Sequence, residues 1–143
     1  MAYYECIYNN DCINNDDSFI VTLTGSHNVT ISASVCYIDK TTICLLGNTS
    51  LGNANCPTQL GYAWNYNVNI NNKEYTGTCR IPTLTQISSK CARYKRDFRY
   101  WTSTPYSTSI THFHYVTTSG IVYFEHYNNM GAMGTLPFIE ITL

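Results

Sequence analysis

The residues of this chain best suited to chemistry are its four histidines, His27, His112, His114 and His126. His112 and His114 stand at i and i+2, the spacing that puts two side chains on one face of a strand. His126 lies beyond the turn signal Thr118-Ser119-Gly120, so a hairpin folded there brings it opposite His112. Three imidazoles on one sheet face could take zinc or copper. An exposed histidine on a strand is the commoner outcome, and no cysteine falls beside these three. The sequence is therefore read with no metal and no cofactor.

Other chemistries find less support. Asp11, Asp16 and Asp17 with Asn14 and Asn15 resemble an acidic calcium loop. They lack the glycine and terminal glutamate of an EF-hand, and the stretch reads as a solvated loop. There is no Gly-x-Ser-x-Gly elbow, no His-Glu-x-x-His and no phosphate-cradling glycine loop. The chain is read as a non-enzyme. Its seven cysteines, Cys6, Cys12, Cys36, Cys44, Cys56, Cys79 and Cys91, contain no Cys-x-x-Cys. Buried thiols and two or three disulfides remain equally open.

Recognition is better supported. Charged residues make up only 12% of the chain, against roughly 25% in an ordinary globular protein, so most of the polar surface must be neutral. Tyr, Asn, Thr and Ser supply it, and these are the residues of recognition surfaces. Net charge is −1, which excludes a general nucleic-acid binder, because phosphates are held by Lys and Arg. No apolar run approaches the length of a membrane span, so no membrane insertion is expected. Aromatic faces stack on sugar rings while Asn and Thr read hydroxyls. The candidate ligand-binding residues are Tyr106, His112, His114, Tyr127, Asn128, Asn129 and Met130. Seven of the eight basic residues lie between Lys73 and Arg99, either to dock an acidic partner or to solvate a helix end.

Elements of two kinds must position these side chains. Residues 18–24 and 28–37 alternate apolar and polar and predict strands. A third strand is expected over 41–46, making a small β-meander, and 47–57 reads as a connector. Residues 59–64 suggest a short helix, weakened by Gly61 and the Asn content. Pro82, then Thr83 with Gln86 three residues on, is a capping box that opens a helix over 84–93. Strands are expected over 98–103, 111–117, 121–127 and 138–143. The fold class predicted is α+β, rich in β, with one or two short helices and an antiparallel sheet. Two segments are expected: residues 1–57, for attachment or as a fold extension, and residues 58–143.

The second segment carries two motifs in order: Cys79-Arg80-Ile81-Pro82-Thr83 before the capped helix, then Tyr100-Trp101-Thr102-Ser103-Thr104-Pro105. A Ser-Gly hairpin and a closing strand follow. This order resembles the Lcl-type domain of bacterial collagen-like adhesins, over residues 58–143. The family places a Trp where this chain has Cys79, and closes on a different strand from Leu136-Pro137-Phe138-Ile139. The resemblance implies a C-type-lectin-like fold in which Arg80, Pro82, Thr83 and Trp101 are a structural signature. It also implies a binding domain displayed on an exposed surface, with a cell-surface glycan or protein receptor as partner. Homo-oligomers or other surface subunits are expected neighbours. Met1-Ala2-Tyr3-Tyr4-Glu5 has neither a basic nor an apolar leader region, which favours a phage virion fibre or decoration protein. The alternatives are a secreted bacterial adhesin or pilus-type subunit and, least supported, a formylglycine-related enzyme. The expected location is the virion surface, with the extracellular space or bacterial cell surface as alternative.

Overall fold

The computed structural model describes residues 18–24, 30–37, 41–48, 50, 63–87, 96–108, 111–127 and 133–143. Nine strands run through them: β1 Ser18–Thr24, β2 Thr30–Tyr37, β3 Thr42–Gly47, β4 Trp64–Ile70, β5 Lys73–Cys79, β6 Tyr100–Pro105, β7 His112–Val116, β8 Val122–His126 and β9 Phe138–Thr142. They form two sheets, one of six strands in the order β5-β4-β1-β2-β3-β9 and one of three in the order β6-β7-β8. Neighbouring strands are antiparallel throughout.

The six-stranded sheet curls until its ends meet. Arg80, just past β5, bridges Phe138 at the start of β9, and the Phe138 N–H donates to the Arg80 carbonyl at 2.8 Å. Alternation then decides what lies inside. Val21 and Leu23, Ile31, Ala33 and Val35, Ile43 and Leu45, Trp64 and Val68, and Ile139 and Ile141 all point into one core. Their even spacing along each strand is the period-two pattern read in the sequence. Trp101, Met133 and Ile81 join them.

β3 differs from the others, because it is buried on both faces. Ile43 and Leu45 fill the curled sheet. Cys44 and Leu46 face a second core with Ile87, Tyr100, Val116, Leu136 and Phe138. That is why 43–46 reads as an unbroken apolar run, as strands covered on two sides do. Strands on both sides of residue 57 share this sheet, since β1, β2 and β3 lie between β4 and β9.

The architecture corrects the α+β expectation. Among the described residues it is nearly all β, and the only helical piece is a single turn over 84–87. A C-type-lectin-like fold with one or two helices is overturned with it. The capping box itself forms: the Thr83 N–H donates to Gln86 Oε1 at 2.9 Å, and the Gln86 N–H to Thr83 Oγ1 at 3.1 Å. Residues 88–93 of the expected helix lie outside the described residues. Residues 59–62 of the short helix expected over 59–64 lie outside the described residues, and its last residue, Trp64, opens β4. The Asn residues that weakened the helix are its outward face, Asn65, Asn67 and Asn69 alternating with Trp64, Tyr66, Val68 and Ile70. Asn71 and Asn72 then turn the chain into β5 with φ of 53° and 65°, the left-handed pair of a two-residue hairpin, which Asn tolerates. Opposite Tyr66, a Cβ on Gly77 would sit 2.9 Å from the Tyr66 ring, so the absent side chain makes room for that ring.

The dependence on β3 can be measured. Leu45→Ala is expected to cost about 3 kcal/mol through lost burial and a residual cavity. Ile20→Thr, at a position 60% exposed on β1, should change stability by less than about 0.5 kcal/mol. Urea unfolding of the two variants checks the difference.

Candidate functional site

Two contacts dock the sequence motifs on one another. The Ser103 N–H donates to the Pro82 carbonyl at 2.9 Å, and the Leu84 N–H donates to Thr104 Oγ1 at 2.9 Å. Thr102, fully buried, donates its hydroxyl to the His114 carbonyl at 2.9 Å and accepts from the Thr104 N–H at 3.3 Å. These short hydroxyl side chains thus take up backbone groups that the irregular end of β6 leaves unpaired. Trp101 is wholly buried. Arg80 acts here through its backbone, in the bridge to Phe138. The Arg80–Phe138 pairing is a single bridge outside the named strands, and Glu125 Oε1 accepts the His126 N–H at 2.8 Å. Pro82 accepts through its carbonyl, Thr83 caps the helical turn and Trp101 packs in the first core.

The same irregularity builds a face of rings. Register between β6 and β7 shifts between Trp101 and Pro105, after which Pro105 pairs with Phe113 and the Tyr106 N–H donates to the His112 carbonyl at 2.8 Å. Ser107, with φ of 54°, turns the chain away immediately afterwards. On the other side, β7 and β8 pair His112 with His126 and His114 with Phe124. Their turn is closed by the Thr117 N–H to the Ile121 carbonyl at 2.8 Å and by Thr117 Oγ1 accepting the Ile121 N–H at 3.1 Å. Gly120 supplies the φ of 81° that this turn needs. Period two then puts His112, His114, Phe124 and His126 on one face, next to Tyr106.

On that face Tyr106 stacks on Phe124, with centroids 3.7 Å apart and planes 11° apart. His114 meets the Tyr106 ring edge-on at 5.7 Å, and its Nδ1 lies 3.2 Å from the Thr104 carbonyl. His112 meets Phe124 at 6.2 Å and His126 at 5.1 Å, while His126 stacks on Tyr127 at 4.8 Å. Six rings therefore form one continuous network. Tyr106 is 40% exposed and Phe124 44%, so the stack reaches solvent rather than closing a core. The opposite face carries Tyr115 between Trp101 and Tyr123, with the Arg99 guanidinium 5.7 Å from the Tyr115 centroid.

Three of the seven candidate residues, Tyr106, His112 and His114, are thus gathered on one surface, and Tyr127 touches its edge through His126 while packing against the first core. Asn128, Asn129 and Met130 lie outside the described residues. Phe124 and His126 belong to the set, although neither was a candidate for ligand contact. The pairing register out from the 118–120 turn was the signal that could have found Phe124. Two of the clustered basic residues are committed within the fold: Arg99 over Tyr115, and Arg96, which donates to the Leu46 carbonyl at 2.9 Å and the Gly47 carbonyl at 3.2 Å.

Concave surface lies elsewhere. A groove of about 280 Å³ runs along the seam where β5 meets β9, with Cys79, Arg80, Gln86 and Glu140 in its wall. Cys79 and Cys44 are both buried thiols. Burial pushes the Cys79 pKa up to about 12. The phenol of Tyr66 beside it is also raised, by its own burial and then by Cys79. A thiol so placed is a poor nucleophile.

Comparisons with protein-family models, with curated proteins and with solved structures find no match to this chain.

The thiol burial has a pH signature. Folding favours the neutral thiol, and the unfolded chain releases that proton more readily. Stability is therefore complete below the ordinary thiol value near 9 and is lost as pH rises towards about 12. Cys79→Ala should remove up to about 1.4 kcal/mol per pH unit from the alkaline slope, read by urea unfolding across that window.

Proposed function

We propose that this chain is a non-enzymatic recognition domain that binds a cell-surface glycan through the aromatic face of β6, β7 and β8. The observation that carries this reading is the solvent-reaching stack of Tyr106 on Phe124. A pyranose presents one flank of C–H groups, and an exposed aromatic ring is its apolar complement. Histidine side chains beside the stack supply hydrogen-bond donors and acceptors to ring hydroxyls. A fixed hairpin holds these groups, so little conformational entropy is lost on binding. The scarcity of charge fits a neutral ligand. Display on a virion fibre or a bacterial surface, and assembly with further copies, are the settings this reading anticipates.

The test is binding of the folded protein to an array of bacterial surface polysaccharides and to whole cells. Phe124→Ala and Tyr106→Ala should each weaken binding about tenfold, or ~1.4 kcal/mol. Tyr123→Ala, on the opposite face, should leave it unchanged. A folded protein that binds neither glycans nor cells would overturn the reading.

A further inference from the structure

His112 and His126 sit at a particular kind of cross-strand position. The Tyr127 N–H donates to the Thr111 carbonyl at 2.8 Å, and the Thr117 N–H to the Ile121 carbonyl at 2.8 Å. Counting between those two hydrogen-bonded pairs makes His112 and His126 a non-hydrogen-bonded pair. At such positions Cα atoms approach to about 4.5 Å and the side chains stand closest. Their rings lie 5.1 Å apart, centroid to centroid, at 85°.

That separation is an ordinary edge-to-face ring contact and is also the one that two ligands of a shared metal ion have. Zinc sits about 2.0–2.1 Å from an imidazole nitrogen, with its ligands at tetrahedral angles, which leaves two ligand rings with centroids about 5 Å apart. His112 Nδ1 lies 3.0 Å from Thr111 Oγ1; in the tautomer whose Nδ1–H donates to that oxygen, Thr111 is the outer-shell partner that orients the ring and Nε2 keeps its lone pair for an ion. The backbone N–H of His126 is held by Glu125 Oε1, which steadies the second ligand's strand.

We propose that His112 and His126 form a two-imidazole site for a divalent transition ion of the zinc class. Among the described residues no group of three or more histidine, cysteine or carboxylate side chains gathers as a metal site. Two tetrahedral positions are then left to water or to an oxygen donor of a molecule lying on the Tyr106–Phe124 stack. His112 touches that stack through Phe124. The ion would sit at its border, giving the aromatic face a polar anchor. The site does not depend on the ligand being a glycan, and it is tested with the metal alone.

The experiment titrates zinc chloride into the full chain at neutral pH, following histidine ring resonances by nitrogen-15 NMR and binding heat by calorimetry. The expected result is a saturable shift of the His112 and His126 ring nitrogens, larger than that of His114 or His27. His112→Asn and His126→Asn should each weaken binding at these rings by at least about tenfold, and Thr111→Ala by about tenfold. His27→Asn should have no effect. The wild-type spectrum reads the site directly, so a variant that fails to fold leaves the test intact. Zinc that binds only at cysteines would give heat unaltered in H112N and H126N, with no shift at these rings. That outcome, or the absence of zinc binding, overturns the proposal. Glycan binding in the presence of a chelator separates the two readings, since loss of the metal site leaves the aromatic stack in place.

Discussion

The arrangement depends on a strand with no solvent face. β3 has Ile43 and Leu45 packed into the curled six-stranded sheet and Cys44 and Leu46 packed into the second core. Burying a large apolar side chain contributes roughly 1.5–3 kcal/mol, so four successive buried positions are a large share of a domain's net stability. β9 returns to pair with it, from Thr42 with Thr142 to Leu46 with Phe138, and adds Ile139 and Ile141 to the first core and Phe138 to the second. Pairing to β9 also brings Phe138 against Arg80 and draws the sheet closed.

The smaller sheet takes its position from the same strand. Tyr100, Val116 and Val122 lie over Leu46 and Phe138 in the second core, while Trp101, Phe113 and Tyr115 belong to the first. One face of β6-β7-β8 is thus packed on the first core along β7, and the other is anchored in the second core at the Val116 end. At the other end the side chains of the Val116 face run on as His114, His112, Phe124 and His126. Period two alone carries this face from core to solvent, without a change of structure. An aromatic pair in such a position is worth about 0.5–1.5 kcal/mol to the hairpin and costs little entropy to hold ready for a ligand. The neutral surface seen in the composition is, on this hairpin, a face of rings and imidazoles.

Much of the local structure was legible. Alternation located β1, β2 and β9, and Thr118-Ser119-Gly120 was the turn that placed β7 and β8 and set His112 against His126. The Thr83–Gln86 capping box formed as read, yet only one described helical turn follows it. A capping box satisfies the first N–H groups of a helix and says nothing of how far the helix extends. The Asn-rich run from 65 to 72 was the clearest miss. Asn lowers helix propensity and is also depleted in strands, so its composition pointed to neither. Its alternation with Trp64, Tyr66, Val68 and Ile70 marked the strand, and Asn71-Asn72 marked the turn.

The sequence by itself determined which residues face in and which face out, because that follows from a period of two along each strand. It determined the partners across short hairpins too, since a tight turn leaves one register. Only the tertiary structure decided that the six strands close through Arg80 and Phe138, that Cys44 and Cys79 are buried thiols, and that Tyr106 crosses β7 to lie on Phe124. Each of these joins residues far apart in the chain. Their proximity is set by how two cores share β3 and by the register shift in β6, neither of which any local pattern encodes.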